Sequence, residues 1–374
     1  MQIENDIPLA PLTSLGIGGA ARHLAHCTTP AQVCEALEWA GSRSLPVHVL
    51  GGGSNTIFAD SGFDGLVLRV ELTGVDIDDA GTTTEIRAAA GEDWDGLVAR
   101  CIDADLVGLE CLSGIPGFVG ATPIQNVGAY GQEVSRVLMA VDAIECSTLQ
   151  SVRIDAADCG FAYRDSRFKG TDRGRYIITG VIYQLERATR PQIRYPELQR
   201  RLDAAQVDLD VLRPGRDASA AIRDVVLSLR ASKGMVVDPT DANTRSAGSF
   251  FLNPVLTQQQ YESALSRWRS HAGPTAQIPS YPVAEATADH KVAAAWLVEQ
   301  AGFTRGAAVD GAAVSDHHAL ALVSRSGREA DLMNLARDIQ VAVESVFGLR
   351  LRREPVRVAA DGRVISPEDN EPCD

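Results

Sequence analysis

An α+β fold in three parts is what the sequence predicts, and three observations predict it. At 374 residues the chain is longer than one hydrophobic core usually serves. Stretches with apolar residues at helical spacing interleave with stretches that alternate or run apolar, as strands do. The glycine- and proline-rich stretch 108–134 carries few charges, the composition of a long loop with buried and functional character rather than of a solvated linker.

Taken in order, the first element is a helix opening near Thr29 and Pro30, with Val33, Leu37 and Ala40 on one face. Residues 46–50 follow as a buried strand that Gly51, Gly52 and Gly53 end abruptly. Residues 65–70 and 84–89 read as strands, and 93–104 as a helix through Trp94, Leu97, Val98 and Cys101. Beyond the long loop, 137–145 and 175–185 read as strands and 218–232 as a helix through Ile222, Val225, Val226 and Leu229. The third part runs from about Gly234 to Arg353. Its helices are expected at 257–270, 291–300 and 329–347, and its strands near Phe250 and at 318–323. No repeat of solenoid period and no low-complexity tract interrupts the pattern. The tail after Asp361 is polar.

Composition removes several function classes. Hydrophobic residues at 45% and charged residues at 22% are those of an ordinary globular enzyme. Lys and Arg number 35 against 49 Asp and Glu, a net charge of −14 with no basic block to offset it, so a nucleic-acid partner is not expected. Phosphates can still be held locally by main-chain N–H groups in glycine turns. Seven cysteines, odd in number and without a CxxC pair, speak against zinc and against a disulfide framework. The N-terminus has no basic leader, and no segment offers ~18 uninterrupted apolar residues. A cytoplasmic, reducing compartment and no membrane are the expectation.

Two short motifs invite a nucleotide reading, and neither carries it alone. Gly51-Gly52-Gly53-Ser54-Asn55 follows a strand but lacks the Lys and Ser/Thr ending of a phosphate loop. Gly16-Ile17-Gly18-Gly19 lacks the preceding strand and last glycine of a dinucleotide fingerprint. Each by itself reads as a tight turn. Joined to the loop 108–134, the first gains meaning. Glycines 114, 117, 120, 128 and 131 let amides approach a pyrophosphate, and Ser54, Asn55, Thr122 and Gln125 offer neutral donors. A dinucleotide cradle of non-Rossmann type fits both segments.

At this point the sequence resembles the FAD-binding fold of vanillyl-alcohol-oxidase-type flavoproteins. Among them it is similar to the UDP-N-acetylenolpyruvoylglucosamine reductase (MurB) family in its longer form. Four separated motifs carry the likeness in the family's order: IPGFVGATPIQNVGAYGQEV, then YRDSRFK from Tyr163, then GSFFLNP from Gly248, then EPVR from Glu354. The resemblance spans about Leu12 to Val358. It implies an FAD-binding subdomain at 1–71 joined by 355–374, a second at 72–232, and an α/β substrate domain at 233–354. It implies FAD as cofactor, non-covalent because neither glycine motif holds a suitably placed His or Cys. NADPH as hydride donor, an enolpyruvyl-UDP-sugar as substrate, a monomer, and a place in peptidoglycan precursor synthesis are implied with it.

The resemblance also implies site residues. The cofactor would be held by Gly51, Gly52, Gly53, Ser54, Asn55, Thr56, Gly114, Pro116, Gly117, Gly120, Ala121, Thr122, Gln125, Asn126, Gly128, Ala129, Gly131 and Ile177. Arg164 would grip the substrate carboxylate, which a planar guanidinium does bidentately; alone it would read as an ion pair with Asp165 or Asp158. Ser249 would deliver a proton to the basic enediolate left by hydride addition, where a lone serine would read as a turn cap. Glu354 would polarise the carboxylate or help protonation, where the arginines around it suggest a solvated salt bridge.

Substrate contacts are expected from Tyr195 in a loop that closes over the UDP group, from Lys233 and Asn253, and from Tyr163, Tyr281 and Lys291. Tyr163 reads equally as core packing and Tyr195 as an exposed turn aromatic. Leu252 departs from the family, which often has Lys there, so basic contacts would depend on Lys233, Lys291 or nearby arginines. His317 and His318 have no carboxylate or cysteine at ligand spacing, so no metal is expected. Two other readings stand beside this one: an oxidase of small alcohols or hydroxy acids with the same fold, and a flavin- or UDP-sugar-binding protein without turnover.

Overall fold

The helix predicted near Thr29 runs Pro30–Gly41 in the computed structural model, which describes residues 1–79, 81–283 and 286–365. Thr29 caps it by accepting a hydrogen bond from the Gln32 N–H, and proline suits the first position because that N–H would lack a helical acceptor. Val33, Ala36 and Ala40 bury its inner face. Contacts divide the chain into two units. One comprises residues 1–7, 21–53 and 64–232; the other comprises 8–20, 54–63 and the chain from Lys233 onward.

Two larger sheets, and a short ladder pairing Gly128–Ala129 with Gln132–Glu133, build the first unit. The smaller places Ile3–Pro8, Ala20–Cys27, Phe63–Val70 and Val47–Leu50 side by side, the last pair parallel. The larger runs Ser151–Asp155, Leu138–Glu145, Tyr176–Arg187, Thr83–Ala89 and Val75–Asp79, antiparallel throughout, with Leu106–Val107 also paired to Tyr176–Arg187. Helix Trp94–Asp103, capped by Asp93, closes a core through Trp94, Leu97 and Val98 with Leu66, Ile86, Val141, Val181 and Tyr183. Helices Pro196–Ala204 and Arg216–Ser232 enclose a smaller cluster of Cys111, Leu198, Leu202, Ile222 and Val226.

In the second unit, helix Gln258–Ala272 opens with a reciprocal capping box between Thr257 and Gln260. With helices Ala294–Gln300 and Glu329–Phe347 it packs a core of Leu15, Ile17, Ile57, Phe250, Phe251, Trp268, Leu297, Leu335, Ile339 and Phe347. Three small sheets surround it. Val255–Leu256 and Ser280–Val283 flank Ala286–Val292, while Ala308–Val309, Ala312–Val314 and Leu322–Ser324 form a second group. In the third, Thr56–Phe58 lies parallel to Val356–Val358, which explains why 54–63 groups with the end of the chain.

Two elements differ from expectation. The helix predicted from Lys291 begins at Ala294, and Lys291 lies in the strand Ala286–Val292, paired on both sides. Around Phe250 there is no strand but a single bridge, Phe251 to Arg353. Residues 366–374, part of the expected segment 355–374 and including Cys373, lie outside the described residues. Among the described residues no helix is long and apolar enough to cross a membrane.

Candidate active site

The strand Val47–Leu50 delivers Gly51, Gly52 and Gly53 at its end. A Cβ on Gly52 would lie 2.7 Å from Gly117 Cα, so only glycine lets the two loops touch. Among the described residues the N–H groups of Gly52, Gly53 and Gly117 donate to no protein acceptor. Buried or half-buried main-chain donors normally find a partner. Unspent ones on two touching glycine loops fit a pyrophosphate, and so fit FAD.

Around these glycines the loop is fixed from within. Gly120 N–H bonds Ala90 O at 2.9 Å, and a Cβ there would come within 2.6 Å of Ala90 Cβ. Pro116, Ala121 and Ala129 are half-buried along the same loop. Thr122, expected to donate to the cofactor, is itself buried; its Oγ1 lies 2.8 Å from both Val119 O and Tyr183 Oη, and its N–H bonds Val119 O. Gln125 is half-buried, and its side chain makes no hydrogen bond among the described residues. Ile177 packs its side chain into the core opposite Ile144.

Asp95, which in sequence reads as an ordinary acidic residue in a first helical turn, proves to hold the loop. Its Oδ1 accepts from Gly114 N–H at 2.6 Å, and the Arg223 guanidinium grips both oxygens at 2.5 and 2.7 Å. Burial pushes this carboxyl up, but the Arg223 and Gly114 hydrogen bonds outweigh it and hold Asp95 below the usual aspartate range. Because the folded value is the lower one, the contribution is fully present above about pH 3.9 and is lost as pH falls through the folded value. Asp95→Ala, which leaves Gly114 N–H and Arg223 without their acceptor, is expected to cost about 1–3 kcal/mol and to weaken FAD retention. Melting curves with and without added FAD check this, and unchanged melting and flavin content would detach Asp95 from the loop.

The second half of the motif that starts at Ile115 and the motif that starts at Tyr163 are bound together in the first unit. Asn126, buried, donates through Nδ2 to Ala162 O at 3.0 Å and accepts from Ser135 N–H at 3.2 Å; Ser166 Oγ donates to Ile124 O at 2.7 Å. The Arg164 guanidinium donates to Asn126 O at 3.3 Å and also to Gly128 O. A Cβ on Gly128 would sit 2.7 Å from Gln132 O and 2.6 Å from Glu133 Cγ, which accounts for glycine there, and 3.0 Å from Arg164 Nη1. Arg164 itself has φ +55°, with Asn126 at +43° and Tyr130 at +47°. Left-handed backbone at non-glycine residues costs energy and persists where the surroundings impose it, often at functional sites. The guanidinium carbon lies 5.5 Å from the centre of the Tyr163 ring.

Tyr195 immediately precedes helix Pro196–Ala204 and meets the Tyr130 ring edge-on at 5.7 Å; a Cβ on Gly131 would lie 3.3 Å from Arg194 Cβ. The Tyr195 loop therefore rests on the Tyr130–Gly131 turn. Burial pushes the Tyr130 phenol up to about 12, and its side chain bonds the buried Arg230, whose Nε would lie 3.4 Å from a Cβ on Gly114. Neither Tyr130 nor Arg230 stands out in sequence, since a glycine-loop aromatic and a helical arginine have ordinary roles.

In the second unit the motifs containing Ser249 and Glu354 pair with each other. Glu354 N–H bonds Phe250 O at 2.9 Å, Leu252 N–H bonds Arg352 O at 2.9 Å, and Phe251 opposes Arg353. Asn55 completes the arrangement: its Nδ2 donates to Glu354 O at 3.2 Å and its carbonyl accepts from Val356 N–H at 2.9 Å. Thr56 continues into the strand parallel to Val356–Val358. Ser249 and Glu354 are both half-buried.

The remaining expected contacts are spread over this unit. Asn253 Oδ1 accepts from Ala294 N–H at 2.9 Å, so its carbonyl end serves the start of a helix. Tyr281 and Lys291 are cross-strand partners, which sets their side chains on one face. Lys233 is half-buried just after helix Arg216–Ser232. His317 Nε2 lies 2.7 Å from Asp241 Oδ2, and His318 Nδ1 accepts from Leu320 N–H. Among the described residues no group of His, Cys, Asp or Glu could hold a metal ion.

Comparison with known proteins identifies the family. The family model described as FAD binding domain matches residues 21–147, and that of the UDP-N-acetylenolpyruvoylglucosamine reductase C-terminal domain matches 238–358. The UDP-N-acetylenolpyruvoylglucosamine reductase of Thermobifida fusca is 44% identical over 359 residues, 94% of this chain and 97% of its own. That of Mycobacterium tuberculosis is 42% identical over 371 residues, 95% of each chain. The crystal structure of the Thermus caldophilus enzyme superposes with a TM-score of 0.63 at 24% identity, covering 96% of this chain and 99% of that one, a likeness of fold. Fold and matches together define a flavoprotein oxidoreductase that carries an FAD-binding domain and a dedicated C-terminal domain. The chain belongs to the UDP-N-acetylenolpyruvoylglucosamine reductase (MurB) family.

Proposed function

We propose that this chain reduces UDP-N-acetylenolpyruvoylglucosamine to UDP-N-acetylmuramate, a step of peptidoglycan precursor synthesis, with Arg164, Ser249 and Glu354 as its catalytic residues. The observation that carries the reading is the pairing of the Ser249 and Glu354 motifs by main-chain hydrogen bonds, with Asn55 holding the Glu354 carbonyl. An oxidase of the same fold has no use for that pairing. The glycine loops would hold FAD, with Gly52, Gly53 and Gly117 as pyrophosphate donors and Thr122 and Asn126 keeping the loop in shape.

Bound FAD supplies hydride chemistry, with NADPH as the two-electron source. One hydride and one proton add across the carbon–carbon double bond, so substrate, NADPH and a proton give product and NADP⁺. Hydride addition at the methylene carbon leaves negative charge on the neighbouring carbon and its carboxylate. Arg164 grips that carboxylate, Glu354 polarises it, and the Ser249 hydroxyl delivers the proton to the carbon beside it. Lys233, Asn253, Tyr281 and Lys291 contact the UDP moiety, while Tyr163 packs beneath Arg164. Residues 1–71 joined by 355–374, and residues 72–232, act as the two halves of the cofactor cradle, with 233–354 as the substrate domain. The enzyme works as a monomer in the cytoplasm.

Tyr195 contacts the UDP group from its loop. Tyr195→Phe keeps the packing on Tyr130 and removes one hydroxyl, so substrate affinity is expected to fall by about 0.5–1.5 kcal/mol while flavin reduction by NADPH is unchanged. Titration of each ligand separately checks it. Equal losses in both half-reactions would make Tyr195 a fold residue. Turnover in D₂O tests the overall reaction: deuterium is expected on the carbon next to the product carboxylate, and its absence from that carbon would overturn the proposal.

A further inference from the structure

We propose that Ser14 is a positioning residue for proton delivery, acting through Ser249; the inference rests on the reading of Ser249 as the proton donor. Ser14 belongs to no motif that the sequence singles out, yet its hydroxyl lies where three segments of the second unit meet. Its Oγ donates to Ser246 O at 3.0 Å and to Ser54 O at 3.3 Å. One hydrogen is thus shared between two carbonyls in a three-centre bond.

Each carbonyl leads to one catalytic residue. Ser54 precedes Asn55, which binds the main chain on both sides of Pro355 through Glu354 O and Val356 N–H. Ser246 is buried three residues before Ser249; its own Oγ accepts from Gly248 N–H at 3.2 Å, and Gly248 has φ +70°, a conformation that turns the chain into Ser249. The segment bearing Ser14 is braced independently of its hydroxyl. Thr13 Oγ1 bonds Ala10 O at 3.2 Å and Ile17 O at 3.4 Å, and Leu15 and Ile17 are buried in the core that holds Phe250 and Phe251. The Ser14 hydroxyl therefore adds little to burial. What it sets is the spacing between the loop that leads to Asn55 and the turn that leads to Ser249.

A serine hydroxyl is a weak acid, so proton delivery depends on a short and fixed distance, and misplacement by about 1 Å can cost ~10²-fold. Ser14→Ala in the FAD-loaded enzyme is expected to slow reoxidation by the enolpyruvyl substrate by about 10- to 10²-fold. Flavin content, flavin reduction by NADPH, substrate affinity and melting temperature should stay near wild type. Ser14→Thr, which keeps the hydroxyl, should recover most of the rate, and Ser14→Cys should lie between, serving as the readout if the alanine variant does not accumulate. The double variant Ser14→Ala/Ser249→Ala should be slower than Ser249→Ala alone by far less than the Ser14→Ala factor, because the proton donor that Ser14 positions is then gone. A double variant slower by the full Ser14→Ala factor, or wild-type reoxidation in Ser14→Ala, would overturn the positioning role while leaving Ser249 as the donor. Normal reoxidation in Ser249→Ala would overturn both.

Discussion

Ser249→Ala is expected to bind FAD and accept reduction by NADPH as wild type does, yet to be reoxidised by the enolpyruvyl substrate about 10²–10⁴-fold more slowly. The hydroxyl has no part in the first half-reaction, and in the second it is the group that supplies the proton. Its motif is held by main-chain bonds, Phe250 N–H to Leu320 O at 2.7 Å and Phe250 O to Glu354 N–H at 2.9 Å, so the alanine variant should keep the backbone in place. Ser249→Cys should regain part of the rate, because a thiol can deliver a proton from nearly the same position. Stopped-flow traces at the flavin absorbance separate the two halves. Near-normal reoxidation in Ser249→Ala would transfer the acid role to water or to another side chain.

Arg164→Ala should produce the second large effect, again confined to the half-reaction that develops charge on the enolpyruvyl group. A hydrogen bond to a charged group contributes about 1.5–3 kcal/mol, so losing a two-pronged grip corresponds to roughly 10²-fold or more. Glu354→Gln should slow the same half. Arg164→Lys would keep the charge but not the planar fork and should recover little. The turn around residue 164 has bonds of its own, Ala162 N–H to Asp165 O at 3.0 Å and Ser166 Oγ to Ile124 O at 2.7 Å, so flavin content should persist in Arg164→Ala. Loss of FAD as the main defect would assign Arg164 to the cofactor cradle.

Local pattern carried much of this architecture into the sequence. Thr29 and Pro30 mark a helix start by capping chemistry alone, and the glycine run 51–53, with Gly53 at φ +66°, marks the end of a strand. Where neighbours distant in sequence decide, the pattern fell short. Lys291 and Val292 lead into the alanine-rich start of Ala294–Gln300 and read as its first turn, but strands on both sides claim Lys291. Thr122 looks like an outward donor until Tyr183, 61 residues on, takes its hydroxyl. Residues 54–63 belong with the end of the chain because of a parallel pairing across about three hundred residues, which no local propensity encodes.

The candidate site divides in the same way. Motif order pointed to Arg164, Ser249 and Glu354, whereas the supports of the site are single polar residues whose partners lie far off. Ser14 reaches Ser246 across 232 positions. Asp95 reaches Arg223 across 128. A serine in a turn and an aspartate in a first helical turn have common local explanations, so their second role appears only when the chain is folded.

Anaerobic mixing separates hydride transfer to the enolpyruvyl substrate from transfer to oxygen. The yellow holoenzyme is first reduced with one equivalent of NADPH, and UDP-N-acetylenolpyruvoylglucosamine is then added in the absence of oxygen while the flavin absorbance is followed. Bleaching is expected on the first addition, then full return of colour on the second with one equivalent of UDP-N-acetylmuramate formed. Flavin that stays bleached until oxygen is admitted would contradict the proposed function.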